Sequence, residues 1–190
     1  MKYALLVWLL VATAVGATGV LRASPLPLPA LGLLITGLLL SLIASSPAVR
    51  HTALAGGVRP LIAIHLTRFV GFYFLWLYGH GLLPREFAVP AGWGDIAVAA
   101  AAIPVLSAAS RNTPASRRTI ALWNIAGLVD IVFVMANAFR MVPADPLLEA
   151  GFTSLPLSLL PTFLVPLIIV THVLIFVWLS RQGGRGPARV

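Results

Sequence analysis

The placement of charge constrains this chain more than any other feature. Thirteen Lys and Arg residues are present. Nine of them, Lys2, Arg50, Arg59, Arg111, Arg117, Arg118, Arg181, Arg185 and Arg189, lie at the start, in two alternate connectors or in the tail, and none of these segments contains an acid. Four of the five acids, Glu86, Asp95, Asp145 and Glu149, lie in the intervening segments. Apolar stretches separate the two sets. A chain threaded repeatedly through a bilayer keeps its basic connectors in the cytoplasm. The pattern therefore predicts an all-α, polytopic transmembrane helix bundle with both termini cytoplasmic and the lipid bilayer as its main partner.

Composition agrees. Of 190 residues, 59% are hydrophobic and 9% charged, whereas water-soluble domains carry about 25% charged residues. The net charge of +8 does not point to nucleic acid. The basic residues form no aromatic-interleaved patch and no reader motif, and positive-inside topology accounts for them. With no cysteine in the chain, disulfides, thiolate nucleophiles, Cys-ligated zinc and iron–sulfur clusters are excluded.

A transmembrane helix needs about 20 apolar residues, and six spans can be read: about 3–20, 30–45, 60–82, 95–109, 120–141 and 157–179. Together they predict one transmembrane domain over 1–182 and a basic cytoplasmic tail over 183–190. The first segment also has the charged start, apolar centre and small-residue end of a signal peptide, although the expectation is a retained helix. The short fourth span is nearly all small residues, which suits a central packing helix. Its Ala97, Ala101 and Ala108 are expected on one enclosed face. The 142–156 connector can hold an interfacial helix presenting Leu147, Leu148 and Phe152 to the membrane. Trp76, Tyr78 and Trp93 near one boundary, with Trp123 and Trp178 near the other, match an aromatic belt.

Ionisable and strongly polar residues inside spans are candidate functional groups, because burying a charge there costs roughly 2.5–3.5 kcal/mol on insertion scales. His65, Arg68, His80, Asn124, Asp130 and His172 qualify. At 1.5 Å per residue, His65, Arg68, Asn124, Asp130 and His172 all lie about 7–16 Å from the cytoplasmic ends of their helices. His65 and Arg68 share a face at three-residue spacing. Arg68 and Asp130, at similar depth on different helices, are expected to pair, either as a packing ion pair or as part of a ligand or proton site. His65 and His172 are open to three readings. They are hydrogen-bonded packing residues, axial ligands of haem b or of a metal ion with Arg68 toward a propionate, or proton-relay groups. Asp95 follows Gly94 and is well placed to cap the fourth span, with a His80–Asp95 site as the alternative.

The run LLPREFAVPAGWGDIAV, followed by LWNIAGLVD, resembles small, uncharacterised multi-pass membrane proteins of bacterial genomes. The resemblance covers about half the chain and implies a bacterial inner-membrane setting without implying an activity. No P-loop, HExxH or G-x-S-x-G elbow is present. The leading expectation is a haem- or metal-binding membrane protein using His65, His172 and Arg68. A small proton-coupled carrier, working as a homo-oligomer, and a non-catalytic subunit with a membrane partner protein are the alternatives.

Overall fold

A computed structural model describes residues 2–111 and 113–183. Arg185 and Arg189, and with them nearly all of the expected basic tail, lie outside that range. All regular structure among the described residues is helical. Helix α1 spans Lys2–Thr18 and ends at Gly19, whose φ of 72° is the left-handed conformation that suits glycine after a helix. Helix α2, Leu28–Ser45, has proline in its first turn, where the missing N–H costs nothing. Ser46 then caps α3, Pro47–Leu54, accepting from Val49 N at 3.3 Å. This short helix occupies a stretch that reads as a bare connector.

Helix α4, Val58–Gly79, is α-helical except for a 3₁₀ segment at His65–Val70. Helix α5 covers Arg85–Ala109 and α6 covers Pro114–Met141, opened by a Thr113–Ser116 capping box. Helix α7, Pro146–Phe152, is capped by the Asp145 carboxylate. A π-helical turn, Leu160–Leu164, leads into α8, Val165–Gly183. Five helical segments are long and apolar enough to cross a membrane: Leu28–Ser45, Val58–Gly79, Arg85–Ala109, Pro114–Ala144 and Leu160–Gln182. Helix α1 is apolar but shorter, at 17 residues.

Helix α5 packs between α4 and α6, and α8 packs against α2, α4 and α6. The basic connectors gather at one end, where Arg117 Nη1 donates to Gln182 O at 3.1 Å. The acid-bearing connectors meet at the other, where Phe87 stands edge-on to Phe152 and Arg22 donates to Ser154 Oγ at 3.1 Å. The apolar core is split accordingly. One cluster at the acidic end centres on Phe74, Phe87, Leu148 and Phe152. A second at the basic end centres on Leu61, Ile62, Ile120 and Ile175. Along α6, Leu122, Ile125, Val129 and Val132 form an exposed apolar stripe opposite the buried one. Such a stripe is a liability in water and the expected surface in lipid.

Three expectations change. Helix α5 begins ten residues before the expected start, because Pro90 and Gly92 read as breakers yet lie inside it. Gly and Pro are tolerated in membrane helices, where neighbours re-satisfy the freed backbone groups. The longer helix is rotated from the expected packing. Ala88, Ala91, Ala99 and Ala102 are buried, whereas Ala97 and Ala101 are exposed and Ala108 is half-buried. The last helix, α8, is more enclosed than α5. The connector expected to hold an interfacial helix does form one, α7, but Leu148 and Phe152 enter the protein core and only Leu147 faces outward.

Candidate functional site

Between the two apolar cores lies one polar layer. Its centre is Arg68, fully buried on the 3₁₀ segment of α4. With three residues per turn, a 3₁₀ helix places positions i and i+3 directly above one another, so His65 and Arg68 project together. The Arg68 guanidinium has partners for all three of its nitrogens. Nε donates to Asp95 Oδ1 at 2.7 Å, Nη1 to Gly127 O at 3.0 Å, and Nη2 to Asp130 Oδ2. The expected Arg68–Asp130 pair is present, and a second carboxylate joins it. Asp95 is no helix cap: it sits in the interior of α5, 5% exposed.

Glycines make this convergence possible. A Cβ on Gly71 would run into Gly92 O and stand 3.1 Å from Asp95 Cβ, so α4 and α5 meet at backbone contact. A Cβ on Gly94 would collide with Asp130 Oδ1. At Gly127 it would lie 2.7 Å from His172 Cε1 and 3.2 Å from His172 Nε2. Gly127 thus joins the two halves of the layer, giving its carbonyl to Arg68 and its open side to His172.

The second half holds both expected histidines, each with no exposed surface. Their rings lie 4.2 Å apart between centroids, tilted by 50°. Trp123 stands edge-on to His65 at 5.0 Å and donates Nε1–H to Val98 O at 3.1 Å. It therefore belongs to the site and not to an aromatic belt. His65 Nε2 meets Thr171 Oγ1 at 3.2 Å, and that hydroxyl already donates to the carbonyls of Leu167 and Ile168 at 2.9 Å. With that one proton on a carbonyl, His65 Nε2 is the donor to the hydroxyl. Asn124 Nδ2 donates to His172 O at 3.1 Å, which leaves Asn124 Oδ1 to accept from His172 Nδ1 at 2.8 Å. Each ring therefore carries its proton on the bonded nitrogen. His65 Nδ1 and His172 Nε2, both buried, make no hydrogen bond and present lone pairs.

This geometry does not suit the ligation expected of His65 and His172. With metal–imidazole bonds of about 2 Å, two trans ligands have their nitrogens about 4 Å apart and two ligands of a tetrahedral ion about 3.3 Å apart, with ring centres farther still in both cases and, for haem, a porphyrin between them. Rings 4.2 Å apart between centroids leave no such space. Two lone pairs also fall short of the three or four protein ligands that a zinc site uses. Arg68 faces carboxylates rather than an open propionate position. Nor does a His80–Asp95 site form. His80 is exposed, with Nδ1 2.8 Å from Trp76 O and its ring 4.2 Å from that of Trp76.

Asn124 has a clear expected phenotype. Asn124→Leu leaves His172 Nδ1 without a partner inside the bundle, which costs about 1–3 kcal/mol for a buried polar group. Thermal unfolding in detergent followed by tryptophan fluorescence should show the loss. An unchanged midpoint would mean that the Asn124–His172 bonds contribute nothing.

A family model described as Domain of unknown function (DUF8737) matches residues 25–180. The chain belongs to this family. The matched region contains every residue of the polar layer and omits α1. No curated protein matches the chain, and no solved structure does.

Proposed function

We propose that this DUF8737 protein is a six-span protein of the bacterial inner membrane, with both termini in the cytoplasm, acting as a small proton-coupled carrier through its buried Arg–Asp–His layer. The observation that carries the reading is a charge count. One guanidinium faces two carboxyl groups, Asp95 and Asp130, so it can neutralise only one of them. In a low-dielectric interior the other must be neutralised as well, and a proton is the simplest species to do so. Two buried imidazole lone pairs, of which His172 Nε2 lies beside the same Gly127, extend the set of proton-accepting groups toward the basic end. Asp130, whose side chain is 18% exposed against 7% for Asp95, is the point of proton exchange. Six spans are few for a carrier, so the working unit is a homo-oligomer.

Proteoliposomes with an internal pH-sensitive dye and an imposed potassium diffusion potential test this. The native protein should acidify the lumen faster than empty liposomes, and Asp130→Asn should reduce that rate at least tenfold. No flux above background would remove the proton reading. It would favour a second one, a non-catalytic subunit clamped by the ion-pair layer, which the full partnering of Arg68 supports. Orientation has a separate test. Reporter fusions after Arg118 and after Arg181 should both signal cytoplasm, and a periplasmic signal at either would overturn the topology.

A further inference from the structure

We propose that the groove enclosed by α1, α2, α3, α4 and α8 binds one acyl chain of an anionic phospholipid, whose head group lies at the basic end beside Arg50 and Arg59. This site is independent of the proton reading. The groove has a volume of about 310 Å³ and is lined by Leu5 and Trp8 of α1, Leu42 of α2, Ala53 of α3, Ile64 of α4 and Leu174 of α8. That is the low end of the roughly 300–1,000 Å³ typical of ligand sites.

Its chemistry selects hydrocarbon. Thr171 supplies the hydroxyl in a wall of apolar side chains, and that hydroxyl is already committed to Leu167 O, Ile168 O and His65. A polar ligand would find no free partner there, and its desolvation would go uncompensated. The slot exists because α1 is held from Trp8 onward. Trp8 Nε1 donates to Thr162 O at 2.9 Å and the Trp8 ring stands edge-on to Phe163, while Gly16 closes onto Ser158. Nearer the basic end, Ala4 and Leu5 only border the space between α1 and its neighbours.

Charge selects the head group. Val49 and Ala53, on the α3 wall, flank Arg50 in sequence, and Arg59 opens α4 two residues before the lining residue Leu61. Arg50 spends one nitrogen on Ala44 O at 3.3 Å, and Arg59 is exposed. Of the five acids, Asp95 and Asp130 are bound to Arg68, and Glu86, Asp145 and Glu149 lie in the elements at the opposite end, so no acidic side chain offsets these cations. Basic residues at a membrane surface favour anionic over zwitterionic lipid.

The test uses the full chain in detergent micelles carrying phosphatidylglycerol with a diazirine at the end of one acyl chain. A phosphatidylcholine probe with the same chain runs in parallel, and adducts are mapped by peptide mass spectrometry. Adducts are expected within 39–53 and 167–174, with a yield about tenfold lower for phosphatidylcholine. Arg50→Gln with Arg59→Gln should bring phosphatidylglycerol down to that level. Ala53→Trp should abolish groove adducts, and Val49→Trp replaces it if the first variant does not fold. Equal yields for the two lipids would overturn the proposal. So would adducts confined to the exposed residues Leu6, Leu10 and Leu38. Because the chain has no cysteine, Leu5→Cys with Leu42→Cys gives a further check, and efficient crosslinking between copies would assign the groove to a second protomer and overturn the lipid site.

Discussion

Arg68→Met is expected to be the most damaging single substitution in the polar layer. It leaves Asp95 and Asp130 in the interior with no cation between them, and removing one partner of a buried ion pair costs about 3–5 kcal/mol. The carboxylate variants should be milder, for a structural reason. Asp130→Asn leaves Arg68 bonded to Asp95 and Gly127 O, and Asp95→Asn leaves it bonded to Asp130 and the same carbonyl. Each loses the strength of one charge-assisted bond, about 1.5–3 kcal/mol, with Asp95 the costlier because it is the more buried. Combining Arg68→Met with both Asn substitutions removes every charge, and this triple variant should recover much of the loss of Arg68→Met alone. Unfolding midpoints in detergent give the order directly. If Arg68→Met and Asp130→Asn lowered the midpoint equally, or the triple variant were the worst, charge balance would not be what the layer supplies.

That ordering differs from what sequence alone implies, and the difference lies in one residue. With Asp95 placed at a helix cap, Arg68 has a single partner and Asp130→Asn strands it. With Asp95 in the interior of α5, the charge count changes from a balanced pair to one cation against two carboxyl groups. Pro90, Gly92 and Gly94 hide that placement, because they punctuate soluble helices but not this one. Depth is more legible in the sequence, because it depends only on helical rise. It places His65, Arg68, Asn124, Asp130 and His172 in one band, and all five meet in one layer. Ring orientation does not follow from depth. Thr171 sets His65 and Asn124 sets His172, and these bonds depend on how α4, α6 and α8 pack. Trp123 is misleading in the sequence for a similar reason. Its position near a helix end suits a membrane boundary, whereas its indole N–H finds Val98 O across the α5–α6 contact.

The glycines give the second large effect. Gly→Ala within a helix ordinarily stabilises by about 0.8–1.0 kcal/mol, and Gly37→Ala in α2 should do so, since a Cβ there meets nothing within 4 Å. Gly71→Ala is expected to reverse the sign. Its Cβ would press on Gly92 O, a backbone atom that cannot rotate away, and a Cβ on Gly92 would in turn lie 2.9 Å from Gly71 O. Relief requires α4 and α5 to separate, and overpacking of this kind costs about 1–3 kcal/mol. The separation also acts on the site, because Gly71 lies three residues after Arg68 and a Cβ there stands 3.1 Å from Asp95 Cβ. Pushing the helices apart stretches the 2.7 Å Arg68–Asp95 bond, so proton flux and stability should fall together. Gly94→Ala separates the two consequences. There the obstacle is the Asp130 carboxylate, a side chain that can swing aside, so stability should change less than in Gly71→Ala while flux is lost as Asp130 leaves Arg68. Unfolding midpoints and proteoliposome flux for the three alanine variants check the pattern. A stabilised Gly71→Ala with native flux would show that α4 and α5 do not depend on backbone contact.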